Sequence, residues 1–163
     1  MDEKKMKQAM SVYETICRAL ESEDWKYTRD DEKLVINCKA RGEDLPLDLY
    51  FIVNPGAQVV SLISPMPFKI AEDKRVDLAL AVCMVNDNLV NGCFDYNIAN
   101  GNINFRMVSS FCESILSEKL FLYMLLVSAH TVDDYNDKFL MISKGMMSLE
   151  QLAEWENKRR EED

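Results

Sequence analysis

A chain of 163 residues that is 48% apolar and 29% charged, with only 5 Gly and 4 Pro, can fill one hydrophobic core and is neither fibrous nor low in complexity. Its 28 Asp and Glu outnumber 19 Lys and Arg, and the resulting net charge of −9 repels nucleic-acid phosphates and anionic lipid, so neither nucleic acid nor membrane is an expected partner. A single His narrows acid–base and metal chemistry further.

The opening stretch, Met1 to Gln8, is rich in charge and carries no apolar export signal. Leu120 to Val127 is the most apolar run, well short of the ~20 residues that cross a bilayer. The cysteines, Cys17, Cys38, Cys83, Cys93 and Cys112, are odd in number and isolated, each within an apolar-periodic segment. They read as reduced core thiols of a cytoplasmic protein.

In chain order, Met6, Met10, Tyr13, Ile16, Cys17 and Leu20 recur at helical spacing and predict an amphipathic helix from about Glu3 to Ser22. A short strand, Trp25 to Arg29, leads to the acidic turn Asp30-Asp31-Glu32. From Leu34 to Arg41 the apolar period becomes two. Leu45, Leu47, Leu49, Phe51 and Val53 line one face of a third strand; Asn54-Pro55-Gly56 supplies a turn with positive φ, and Val59 to Ser64 returns as a fourth.

Pro65 and Pro67 end that strand, and a helix is expected from about Ala71 to Asn91, closed by Gly92. This helix has two apolar faces: Leu78, Val82, Val85 and Leu89 on one, Val76, Ala79, Leu80, Cys83 and Val90 on the other. A sheet hides only one stripe, so the second meets either another helix of the chain, such as the long third one, or a second molecule; in the latter case Leu78, Val82, Val85 and Leu89 are the expected interface of a homodimer. Phe94, Tyr96 and Ile98, the turn Asn100-Gly101, and Ile103 to Phe111 form a hairpin. Ser117 caps a long helix expected to break or bend near Asp133-Asp134, to continue through Phe139 to Ile142 and to close at Gly145. Ser148-Leu149-Glu150-Gln151 is a capping box opening a short helix with Leu152 and Trp155. The parse is a single α+β domain over residues 1–156, with a mostly antiparallel sheet, helices on one face and a frayed charged tail over 157–163.

No phosphate-binding, nucleophile-elbow or zinc-protease motif occurs. His130, with Asp133 and Asp134 one helical turn on, reads as a solvated helix flank rather than a catalytic dyad, because no nucleophile accompanies it. The acidic run from Asp133 has Lys138 and Lys144 where a calcium loop needs Gly and Glu. The expectation is a chain without catalytic residues, metal or cofactor.

The stretch Ala79 to Val108 combines an apolar helix reaching Asn86 with Gly92-Cys93-Phe94-Asp95-Tyr96, the Asn100-Gly101 turn and the Phe105-Arg106 pair. In this it resembles the YbjN family of bacterial sensory transduction regulators. The resemblance extends from about Glu3 to Trp155; Tyr96-Asn97 stands where an acidic residue is more usual. It implies a type III secretion chaperone-like fold, α-β-β-β-α-β-β-α, often dimeric and non-enzymatic, that works by binding other proteins.

The expected function is therefore a protein-binding module, a chaperone-like holder or regulatory adaptor, taking a peptide on an exposed sheet face or edge. Tyr50 and Ile52, opposite in facing to Leu49 and Phe51, are the candidate peptide contacts. The alternative is a small-molecule-sensing domain with a pocket between sheet and helices, lined by Phe94, Phe105 and Tyr123.

Overall fold

The computed structural model describes residues 2–162, with side chains through Glu161. The element order is α1 (Glu3–Ser22), β1 (Tyr27–Asp30), β2 (Val35–Arg41), β3 (Pro46–Asn54), β4 (Val59–Pro65), a 3-10 turn (Glu72–Lys74), α2 (Arg75–Asn86), β5 (Cys93–Asn97), β6 (Asn102–Ser110), α3 (Glu118–Ser143) and α4 (Leu149–Glu162). All strand pairs are antiparallel, in the order β1-β2-β3-β4-β6-β5. None of the helices described is long and apolar enough to cross a membrane.

Alternation decides which face of the sheet meets the helices. Leu34, Ile36, Cys38, Leu47, Leu49, Phe51, Val53, Val60, Leu62, Phe94, Ile103, Phe105 and Met107 all point inward and are buried. Helix α1 presents Ala9, Val12, Tyr13, Ile16, Cys17 and Leu20 to this layer, and α3 lies across β3, β4 and β6. Helix α2 packs between β5, α3 and α4. The centre of that junction is aromatic: Phe94 meets Phe105, Tyr135 and Phe139 edge-on at centroid distances of 5.0, 5.6 and 5.0 Å, and Trp155 of α4 closes on Tyr135 at 5.4 Å. At the other end, the buried Tyr13 hydroxyl donates to Asp31 Oδ1 (2.9 Å) beneath the Arg29 guanidinium. Burial and the Asp31 contact push the Tyr13 phenol well above its ordinary pKa.

Several local expectations are corrected. Helix α2 ends at Asn86, not Asn91, and Gly92 (φ +79°) opens β5 instead of capping the helix. In the β3–β4 turn the positive φ falls on Gln58 (+53°), not Gly56, because Asn54 Oδ1 accepts from Ala57 N and holds the earlier residues in an ordinary turn. Gln58 is held from outside, its carbonyl accepting from Phe111 N and its amide donating to Gln8.

Helix α3 does not break at Asp133-Asp134. The Asp133 carboxylate accepts from the Glu43 backbone N–H (3.0 and 3.1 Å), and Asp134 pairs with Arg159. Both side chains thus have partners away from their own helix and do not compete with its ladder. Helix α4 continues through Glu162, past the point where a frayed tail is expected, because Glu156 and Arg159 pack back on the body. Of the five thiols, Cys17 and Cys38 are buried, whereas Cys83 and Cys112 are exposed and Cys93 is half-buried. Burial pushes the Cys38 thiol up to about 12.

Candidate functional site: the open face of the sheet

The outward side chains of the strands are half-buried or exposed, shielded by one another rather than by a helical layer. Register arranges them in rows. Val35, Ile52, Ser61 and Val108 form one row; Asn37, Tyr50, Ile63, Arg106 and Cys93 form the next; beyond them Lys39 pairs with Asp48 on β2 and β3, and Asn104 with Pro65 and Asp95 on its two sides. Tyr50 and Ile52 occupy the central strand of this face. With Val35, Ile63 and the 47% exposed Val108 they make an apolar strip across four strands, with Ser61 set between Ile52 and Val108.

Charge borders the strip at both ends. Lys39 pairs with Asp48 at 3.7 Å, and a shallow hollow of about 230 Å³ beside it is lined by Lys26, Tyr27, Thr28, Asn37 and Lys39. At the other end Arg106 grips Asp95 with two guanidinium nitrogens, Nε at 2.5 Å and Nη2 at 3.0 Å. That contact holds the Asp95 carboxyl below the usual aspartate range. Burial, then the neighbouring Asp95, pushes the Cys93 thiol above its ordinary value, so it stays protonated at neutral pH and is a poor nucleophile.

One edge of the sheet is capped at Phe94. Strand β5 would present the N–H and C=O of Phe94 to any incoming strand, but the Asn86 side-chain amide takes both: Phe94 N donates to Asn86 Oδ1 (2.7 Å) and Asn86 Nδ2 donates to Phe94 O (2.9 Å). An asparagine at the end of α2 thus occupies the position of a seventh strand's peptide group. The opposite edge is the four-residue β1, whose Arg29 is tied to Glu14 (2.7 Å) and Asp31. The open face is the other surface the sheet offers to an extended partner.

The other expected sites fare differently. Leu78 and Val85 are fully buried, Val82 is 6% exposed, and Leu89 is half-buried against the same core. A dimer through these four would require them to leave the chain's own interior. The uncovered stripe of α2 is the opposite one, with Val76 64% and Leu80 51% exposed and Cys83 beside them. Both stripes are equally apolar in sequence; which one is hidden depends on where β5, α3 and α4 settle.

The pocket expected around Phe94, Phe105 and Tyr123 is corrected as well. Phe94 and Phe105 fill the core against each other, while Tyr123 lies on the outer side of α3, its hydroxyl accepting from Asn91. His130 is exposed, and both neighbouring carboxylates are engaged elsewhere, Asp133 by the β2–β3 loop and Asp134 by Arg159.

Asn86, Asp95 and Arg106 stand in the sequence as members of a motif, but the motif alone gives them no task. Their tasks, capping an edge and bracketing a face, depend on the pairing of β5 with β6.

No family model and no curated protein sequence matches the chain. Among solved structures it is similar to YbjN from E. coli, proposed there to be a transcription regulator, with 9% identity and a TM-score of 0.56 over 77% of this chain and 92% of that one. It is equally similar to a chain of the ExsC–ExsE complex, with 9% identity and a TM-score of 0.58 over 84% of this chain and 96% of that one. At that identity the likeness is one of fold: the chain has the α+β, type III secretion chaperone-like architecture of YbjN and ExsC.

Proposed function

We propose that this chain is a non-enzymatic protein-binding module, a chaperone-like holder or regulatory adaptor, that acts in the bacterial cytoplasm and takes an extended segment of another protein on the open face of its sheet. The observation that carries the reading is the uncovered apolar strip of Val35, Tyr50, Ile52, Ile63 and Val108 on a six-stranded sheet. The solved complex of ExsC with ExsE, a neighbour in fold, supports a protein as the ligand class. An apolar segment fits the strip, and an acidic residue at its Lys26–Lys39 end completes the charge match.

Tagged protein captured from its native cells should retain a partner that Ile52→Glu loses and Leu126→Glu, on the exposed side of α3, keeps. For that partner, once purified, the loss should be at least about thirtyfold in Kd, the magnitude of a central contact. Equal retention by both variants would place the binding surface elsewhere.

Homodimerisation belongs to the same proposal, now through the Val76, Leu80 and Cys83 stripe of α2, spaced as successive turns of one helix face. Light scattering at micromolar concentration should give about twice 18.8 kDa, reduced to one chain by Leu80→Asp. A single-chain mass for the unaltered protein would remove the dimer and leave the sheet-face reading standing.

A further inference from the structure

Where α4 returns onto the end of α2, a cleft of about 350 Å³ opens between Asn88, Leu89, Tyr135, Glu156 and Arg159, with Asp87 and Arg160 at its mouth. Its polar groups are incompletely paired. Glu156 is only 4% exposed; Asn88 Nδ2 donates to its Oε2 (3.2 Å), while Oε1 has no hydrogen-bond partner among the described residues. Arg159 gives one nitrogen to Asp134 and lies over the Tyr135 and Trp155 rings at 5.4 and 5.5 Å, but its Nη1 is also unpartnered among the described residues. Burial, then its hydrogen bond to the Glu156 carboxylate, pushes the Tyr135 phenol above its ordinary pKa, so a neutral hydroxyl lines the cleft beside that carboxylate.

A buried carboxylate oxygen and a buried guanidinium N–H without hydrogen bonds carry a desolvation penalty that a ligand supplying both partners removes. The charged residues lining the cleft are Asp87 and Glu156 against Arg159 and Arg160; Asp134 lies behind Arg159, and Arg160 donates one nitrogen to Asn88 Oδ1. An anion would meet two carboxylates there and a cation two guanidinium groups, so a molecule carrying both signs is favoured. The volume lies at the lower end of small-molecule pockets, and half-buried Leu89 offers an apolar wall.

We propose that this cleft binds a small zwitterion of amino-acid size, its ammonium on Glu156, its carboxylate on Arg159 and Arg160, and its aliphatic part against Leu89. The site is separate from the open sheet face, so the two readings stand or fall independently.

The probe is L-leucine, titrated calorimetrically into the full chain, with 4-methylpentanoate and 3-methylbutylamine as the same skeleton lacking one charge each. Leucine should bind, and each half-ligand should be at least about tenfold weaker. Glu156→Gln, which keeps the shape and removes the charge, should weaken leucine at least about tenfold with the circular dichroism unchanged. Should that buried substitution unfold the chain, exposed Arg160→Gln serves in its place, with a loss of at least about threefold expected. No heat of binding up to about 10 mM leucine, a half-ligand that matches it, or a folded variant that binds as the unaltered chain does would each overturn the proposal.

Discussion

Phe94→Ala should lower the free energy of unfolding by about 3–5 kcal/mol, the range of a large aromatic truncated in a core that cannot collapse around the gap. Collapse is blocked because the ring is held from three sides by Phe105, Tyr135 and Phe139, each at 5.0–5.6 Å and each steeply inclined to it. Those neighbours belong to β6 and α3, so the cavity would open at the joint between the edge hairpin and the helical layer. The measurement is a urea titration, with a lower midpoint and an unchanged slope. A loss below about 1.5 kcal/mol would mean that the joint repacks freely and that the aromatic cluster is not what fixes β5 to the body. Phe94→Leu, which keeps most of the buried area, should recover more than half of the loss.

Gly101→Ala should cost about 2–4 kcal/mol, although it adds a single methyl group to a hairpin turn, because Gly101 is buried while residues 97–100 are exposed. Two effects combine. The residue sits at φ +76°, where a side chain is disfavoured by about 1 kcal/mol. A methyl there would also stand 2.4 Å from the Ile70 carbonyl oxygen and 3.0 Å from its nitrogen, so backbone must give way. The yielding segment is the connection between β4 and α2, which is tied to the hairpin through Ile70 N to Gly101 O (3.0 Å) and Met66 N to Ile103 O (2.9 Å). Gly56→Ala is the matched control: its φ is unexceptional, its nearest neighbour is the Asn54 side chain at 3.4 Å, and the change should stay within about 0.5 kcal/mol. Equal midpoints for the two variants would show that the connection is not clamped to the hairpin.

The fold was legible because its strands are amphipathic at period two over long runs. Leu47, Leu49, Phe51 and Val53 leave no choice of inward face, and Asn100-Gly101 marks its turn without help from the rest of the chain. Tyr50 and Ile52 followed from the same parity, as the residues that alternation puts on the other side. Helix α2 was a different problem. Leu78 and Leu80 are alike in chemistry and differ only in which neighbour the tertiary structure brings to them, so the stripe destined for the core could not be told from the stripe left outside.

The Asp133-Asp134 pair misled for a related reason. Two adjacent aspartates weaken a helix on their own, but here one holds the β2–β3 loop and the other an arginine of α4. The α2–α4 cleft had no signature either. Asn88, Tyr135, Glu156 and Arg159 are scattered over seventy residues, and only the docking of α4 assembles them.

The central claim is that the uncovered sheet face, rather than a helical surface, is where another protein is held. The most direct measurement places a photo-crosslinking side chain at Ile52 in one version of the protein and at Leu126 in another, irradiates both in the native cell, and identifies the adducts by mass spectrometry. A defined adduct with a different protein is expected from position 52, joined through an extended segment of that partner, and none from position 126. Adducts from position 126 alone, or adducts from position 52 only with a second copy of this chain, would contradict that claim.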